Sequence, residues 1–331
     1  MLMNIKHTRY FIILLFLLLY LQVIFATPTS PTSDFIDNKD GTVTHKTTEL
    51  TWMRCAMGQQ WTGSTCQGKA STYTYSYALA LTSTFAGHTD WRLPNIAELQ
   101  TIVEYANSEL ALNKTIFPTN LSDFPDPVHS VFRSASPVVD YADNAWYVSL
   151  YHGSNGYGGN NVGFVVRLVR SGQSLPNDLT TPYDDFIDNQ DGTVTHKRTG
   201  LMWQRCSVGQ IWTDSNCKWK IIAGKYTYDQ ALALTDNFAN HKDWRLPNVQ
   251  ELASIVEYGS SNPAINSTLF PNTPRSSFWT SSPSYLLLGK DFPKGHLAFA
   301  WNVDFRNGLI NTSIRSNLFE VRLVRNTVSH K

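Results

Sequence analysis

The strongest constraint on this chain is that it is written twice. Residues 34–66 and 185–217 align without a gap, and 23 of their 33 positions are identical. Whatever the first segment folds into, the second must fold into as well. The correspondence continues past a two-residue insertion in the second copy. Asp90-Trp91-Arg92-Leu93-Pro94-Asn95 returns as Asp243-Trp244-Arg245-Leu246-Pro247-Asn248, and Phe117-Pro118 as Phe270-Pro271. Ser134-Ala135-Ser136-Pro137 returns as Thr280-Ser281-Ser282-Pro283, Ala145-Trp146 as Ala300-Trp301, and Arg167-Leu168-Val169-Arg170 as Arg322-Leu323-Val324-Arg325. A unit of about 140 residues is too long for a solenoid repeat and right for a domain. The chain therefore divides into units at 34–170 and 184–326, with 27–33 as a flexible lead-in and the proline-containing stretch 171–183 as a linker.

Ahead of the first unit, Lys6, His7 and Arg9 precede an apolar run from Tyr10 to Leu21 that continues to Ala26. This is the pattern of a signal peptide over 1–26, with an uncleaved signal-anchor as the alternative. Export to an oxidising periplasm, cell surface or exterior would oxidise the four cysteines. Both copies carry the same short interval, so the expected pairs are Cys55–Cys66 and Cys206–Cys217. No Cys-x-x-Cys is present to hold zinc, and the Asp37-Asn38-Lys39-Asp40 turn does not have the spacing of a calcium loop. No metal or cofactor is expected. With 27 basic and 26 acidic residues, the chain has no general attraction for nucleic acid.

Within each unit the pattern predicts strands, then two helices, then strands, an α+β domain with an antiparallel sheet and long loops. Asp-Gly at 40–41 and 191–192, before Thr-Val-Thr, is a hairpin signal. Helices are expected over 75–85 and 96–105, and over 228–238 and 249–258. Asn95 with Glu98, and Asn248 with Glu251, have capping-box spacing. The charged groups beside Trp91 and Trp244 suggest an ion pair of Arg92, with Asp90 or Glu98 as partner.

The ordered set Asp-Gly-Thr-Val-Thr, Trp-x-Arg, Asp-Trp-Arg-Leu-Pro-Asn-x-x-Glu-Leu, Phe-Pro, Ser-x-Ser-Pro and Val-Arg-Leu-Val-Arg resembles the Lcl C-terminal domain family, also called domain of unknown function 1566. The resemblance covers nearly all of both units. It implies two tandem C-type-lectin-like domains, near the sulfatase-modifying-factor group, in a bacterial exported protein. The family's named member is a surface adhesin that binds sulfated glycans, which implies a glycan- or surface-binding role here. No collagen-like Gly-x-y run accompanies it, so the adhesin's trimerising stalk has no counterpart in this sequence.

The residues themselves supply no catalytic constellation that both copies share. The sulfatase-modifying relatives act through a cysteine pair near their C-terminal part, whereas no cysteine here follows residue 217. The glycine cluster over 153–163 lacks the Lys-Ser/Thr of a phosphate loop and reads as a mobile surface loop. The repeated Trp91, Arg92, Glu98, Trp244, Arg245 and Glu251 read as scaffold. Binding specificity is expected where the copies differ, on loops. In the first unit these hold Tyr141, Tyr151, His152 and Tyr157; in the second, Trp279, Tyr285, Lys290, Lys294, His296, Arg306 and Arg315. Aromatic faces suit sugar rings and cations suit sulfates. Residues 34–170 carry 9 basic and 12 acidic groups, and residues 184–325 carry 15 and 13, so an anionic glycan would favour the second unit. The expected partners are sulfated or other surface glycans, or else envelope or host surface proteins. The membrane is involved only through an uncleaved N-terminal segment.

Overall fold

The computed structural model describes residues 28–107, 110–125, 131–171, 183–220, 224–284 and 298–327. The signal segment at 1–26 and residues 172–182 of the linker lie outside these. The first unit contains β1 (Phe35–Asp37), β2 (Thr42–His45), β3 (Thr51–Met53), β4 (Gln60–Trp61), β5 (Cys66–Gln67) and β6 (Thr72–Tyr73). Helices α1 (Tyr75–Leu79) and α2 (Ile96–Gln100) follow, then β7 (Val131–Val138), β8 (Tyr141–Ser149), β9 (Asn155–Gly159), β10 (Phe164–Val165) and β11 (Val169–Arg170). The second unit repeats this with β12 (Phe186–Asp188), β13 (Thr193–His196), β14 (Leu201–Gln204), β15 (Gln210–Thr213) and β16 (Asn216–Trp219). Its helices are α3 (Tyr228–Leu232) and α4 (Val249–Ala253), and its last strands are β17 (Ser277–Ser284), β18 (Phe299–Asp304), β19 (Leu309–Ile314) and β20 (Val324–Asn326).

The units are thus mostly β, and each helix is a little over one turn, shorter than the sequence pattern suggests. After Gln100 the backbone tightens: Thr101, Ile102 and Val103 donate to Glu98, Leu99 and Gln100, three residues back. Apolar spacing continues through these turns, which is why periodicity over-reads the helix. In each unit the last strand returns to the first hairpin. The sheets run β1-β2-β3-β11 and β12-β13-β14-β20, and the ends of each unit therefore meet. A second sheet runs β6-β10-β7-β8-β9 in the first unit and β17-β18-β19 in the second, and β4-β5 and β15-β16 form two-stranded sheets of their own. Both expected disulfides are present, Cys55–Cys66 and Cys206–Cys217. Each ties a two-stranded hairpin, β4-β5 or β15-β16, to the strand before it.

Two further sequence expectations are corrected. The glycine cluster is no loose loop, because Asn155–Gly159 is strand β9, paired with β8. A Cβ at Gly156 would fall 2.7 Å from the Tyr147 hydroxyl oxygen, and one at Gly158 2.9 Å from the Phe164 ring. The glycines are there because rings lie against the strand. The lead-in is also not free. The buried Glu104 carboxylate accepts from the backbone amides of Thr29 (2.9 Å) and Ser30 (3.0 Å).

The two units share one apolar core, which includes Trp52, Phe132 and Trp146 from the first and Trp203, Phe278 and Trp301 from the second. The seam is close to two-fold symmetric. Tyr105 sits edge-on to Trp301, with ring centroids 4.9 Å apart, and its counterpart Tyr258 sits edge-on to Trp146 at 5.0 Å. A self-complementary surface produces this reciprocity. The polar contacts break it. Gln100 and Asn155 donate to the Tyr258 hydroxyl, and Asn155 also donates to the Gly308 carbonyl (3.0 Å) and accepts from the Ile310 amide (2.6 Å). The counterparts of Gln100 and Asn155 are Ala253 and Ile310, whose side chains have nothing to donate. The buried Tyr105 hydroxyl accordingly has no partner among the described residues.

Candidate functional site

The charged and tryptophan motifs that recur in both units hold the unit together. Asn95 caps α2 and accepts from the Glu98 amide, while Glu98 reaches back to the Asn95 amide. Arg92 then clamps that same carboxylate with two hydrogen bonds, 2.7 and 2.6 Å. Glu98, not Asp90, is its partner. Asp90 instead accepts from Arg170 at 2.8 Å, and the Arg92 backbone pairs with Val169 on the closing strand. The Trp91 indole donates to the Phe85 carbonyl at 3.1 Å. The second unit repeats these contacts through Arg245–Glu251, Asp243–Arg325 and Trp244–Phe238. The hydrogen bonds to Glu98 and Glu251 hold the Arg92 and Arg245 guanidiniums above their usual range.

The remaining repeated residues act alike. Arg54 donates to the Ile116 and Thr115 carbonyls and pairs with Asp37, and Trp61 lies 4.5 Å away on its guanidinium face. Arg205, Asp188 and Trp212 do the same next to Leu269 and Thr268. Gly41, with φ of 90°, passes so close to Trp61 and Phe85 that a Cβ would sit 2.8 Å from each. Arg167 is fully buried over Phe117 at 4.7 Å and donates to the Met53 and Arg54 carbonyls. Arg322 takes the same place over Phe270. Burial pushes both guanidiniums down to about 9, which leaves them charged at neutral pH. The turn carboxylates are occupied too, since Asp40 accepts from the Thr42 amide and hydroxyl.

The copy-specific residues of the second unit separate into three groups. Trp279 is fully buried, with its indole donating to the Tyr226 carbonyl at 2.8 Å, so the expectation of a binding-loop Trp279 is overturned. It is a core residue because β17 directs it against Tyr228 and Phe319. Arg306 and Arg315 already have acids: Arg306 donates to Asp304 at 2.9 Å, and Arg315 pairs with Asp229 while lying over Tyr228. Tyr285, Lys290, Lys294 and His296 fall outside the described residues.

In the first unit, the structure brings Tyr141 and Tyr157 together. Their rings stack at 5.2 Å with an interplanar angle of 21°, and Tyr141 is 51% exposed. This pair heads an aromatic row. Tyr157 meets Trp146 edge-on at 5.7 Å, and Trp146 meets Tyr258 of the second unit. Beside it, the Asp140 carboxylate accepts from Ser261 of the second unit at 3.1 Å. Partial burial, with the Tyr141 hydroxyl and Asp140 nearby, pushes the Tyr157 phenol up, so it is a neutral donor at physiological pH. Tyr151 sits apart from this row, edge-on to His152 at 4.4 Å. In β19 the residue facing Trp301 is Thr312, so the second unit builds no equivalent of Tyr157. Sequence reasoning picked out Tyr141 and Tyr157 singly but missed Asn155, Gln100 and Tyr258; the signal for Asn155 and Gln100 was a polar residue in one copy matched by an apolar one in the other, while Tyr258 is matched by Tyr105 and gave none.

The family described as the Lcl C-terminal domain matches residues 41–170 and again 192–325, together well over half of the chain. Neither the curated proteins nor the solved structures contain a match to it.

Proposed function

The chain belongs to the Lcl C-terminal domain family, in two tandem copies, and from that premise we propose that it is an exported, non-enzymatic binding protein that holds glycans. The observation that carries this reading is the Tyr141–Tyr157 stack at the seam between the units, whose outer ring, Tyr141, is exposed. The open outer face of Tyr141, backed by Tyr157, suits the C–H face of a sugar ring, and the phenol hydroxyls and the neighbouring Asp140 carboxylate suit sugar hydroxyls. The C-type-lectin-like fold implied by the family's motifs is compatible with such a rim site. Export is supported by the N-terminal apolar run and by two disulfides. Among the described residues, no helix is long and apolar enough to cross a membrane.

Arg306 and Arg315 are already neutralised by Asp304 and Asp229, and the tyrosine stack lies in the more acidic unit. The ligand at this site is therefore read as an uncharged saccharide face. A sulfated ligand would have to engage cations elsewhere in the second unit. A glycan panel holding neutral and sulfated members, probed at low and high salt, tests this. Binding to neutral glycans that survives salt supports it, and binding confined to sulfated glycans and abolished by salt refutes the assignment to the stack.

A second reading, a protein-interaction module of the envelope, draws on Ile36 and Ile187. These matched residues are 50% and 49% exposed on the edge strands β1 and β12. Pull-down from envelope extract that Ile36→Lys with Ile187→Lys abolishes would favour it over glycan binding.

A further inference from the structure

The second unit's disulfide-tied hairpin, β15-β16, differs from its counterpart in a way the scaffold does not require. Ile211 and Trp219 are 44% and 41% exposed. Lys218 and Lys220 beside them are exposed and have no carboxylate within ion-pair distance among the described residues. The matching positions in the first unit are Gln60, Gly68, Gln67 and Lys69, so the two large apolar groups and one of the charges belong to the second copy only. The hairpin is held rigidly. Cys217 is bonded to Cys206, and the Asn272 side chain donates to Asn216 and to the Cys217 carbonyl.

The register decides what could cover it. Ile211 lies opposite Lys218, while Trp219 lies opposite Gln210 and on the same face as Trp212. Cross-strand partners share a face and successive residues alternate, so Ile211 and Trp219 project from opposite faces of the ribbon. The face of Trp219 is turned toward the unit at Trp212, which lies on Arg205 at 4.5 Å, so Trp219 reaches solvent at the base of the ribbon beside Lys220, while Ile211 and Lys218 share the outer face. A rigid ligand flat on the outer face leaves Trp219 in water, whereas a deformable layer against the outer face and base reaches both. We propose that β15-β16 is a membrane-contact element, which places Ile211 and Trp219 in the headgroup region of an anionic bilayer with Lys218 and Lys220 against its phosphates. The site is separate from the tyrosine stack and does not depend on the glycan reading.

The first unit supplies the control, because it shows that the same hairpin folds with Gln, Gln and Gly at these places. The chain from residue 28 onward is mixed with vesicles of phosphatidylcholine, with or without phosphatidylglycerol, and sedimented. Binding is expected only with phosphatidylglycerol, falling as salt is raised and accompanied by a blue shift of tryptophan emission. Lys218→Gln alone should weaken it about fivefold. Ile211→Gln, Lys218→Gln and Trp219→Gly together should weaken it by about tenfold or more, with an unchanged melting temperature showing that the hairpin is intact. Equal vesicle binding by the triple variant and the parent overturns the proposal, as does no binding to anionic vesicles. Retention on heparin that the triple variant loses, without vesicle binding, would overturn it in favour of a sulfated polysaccharide.

Discussion

Tyr258→Phe and Tyr105→Phe delete the same atom from matched positions of a nearly symmetric seam, yet they should differ in sign. The Tyr258 hydroxyl accepts from Gln100 and Asn155. Without it Asn155 keeps the Gly308 carbonyl, but the Gln100 amide loses its hydroxyl acceptor at a buried position, and Gln100 is only 6% exposed. Stranding a buried donor costs about 1–3 kcal/mol. The Tyr105 hydroxyl is buried with no partner, so removing it should be neutral or stabilising by up to about 1 kcal/mol. The two variants should therefore be separated by roughly 1–4 kcal/mol, or about 2–10 °C in melting temperature at the few degrees per kcal/mol usual for a chain of this size. Scanning calorimetry of the parent and both variants reads this directly. Equal losses, or a larger loss from Tyr105→Phe, would refute the one-sided polar lock.

Other outcomes follow from the same contacts. Arg92→Ala leaves the fully buried Glu98 without its cation and should cost about 2–4 kcal/mol, whereas Arg245→Ala should cost less because Glu251 is partly exposed; urea titration of each variant checks the order. Burial pushes the His196 imidazole down to about 4 from its ordinary 6.5. The unfolded chain takes up that proton first, so its contribution is whole above pH 6.5 and is lost as pH falls toward 4, by about 3 kcal/mol in all. Thermal melts across that window should show the decline, and His196→Gln should flatten it. Trp279→Ala should destabilise the second unit by about 3–5 kcal/mol, as a core truncation does, which a melt distinguishes from the intact fold expected of a surface change. Reducing both disulfides should lower stability by about 2–3 kcal/mol for each, read as the shift of the urea midpoint with and without a thiol.

The duplication made the scaffold legible because it sorted residues before any contact was known. Arg92, Glu98, Trp91 and the cysteine pairs recur because each is held by another recurring group, and pairing by interval was enough to place both disulfides. Helix length was misread because apolar spacing at Ile102 and Val103 persists through turns whose hydrogen bonds have shifted to three residues. Trp279 was misread because aromatic divergence between copies does not distinguish a rim from a core: its first-unit counterpart is the equally buried Arg133, which lies over Phe164 at 4.0 Å. The seam was invisible for a different reason. Asn155 gains its meaning from Gly308 and Tyr258, more than a hundred residues away, and no local pattern encodes that contact.

The binding claim is tested most directly by titrating a neutral glycan identified on the panel into the chain and into Tyr141→Ala. The stack predicts saturable binding by the parent and a loss of about tenfold or more in the variant, from removal of one stacked ring worth about 1–1.5 kcal/mol and the face it exposes. Unchanged affinity with an unchanged melting temperature would contradict it and move the site away from the seam.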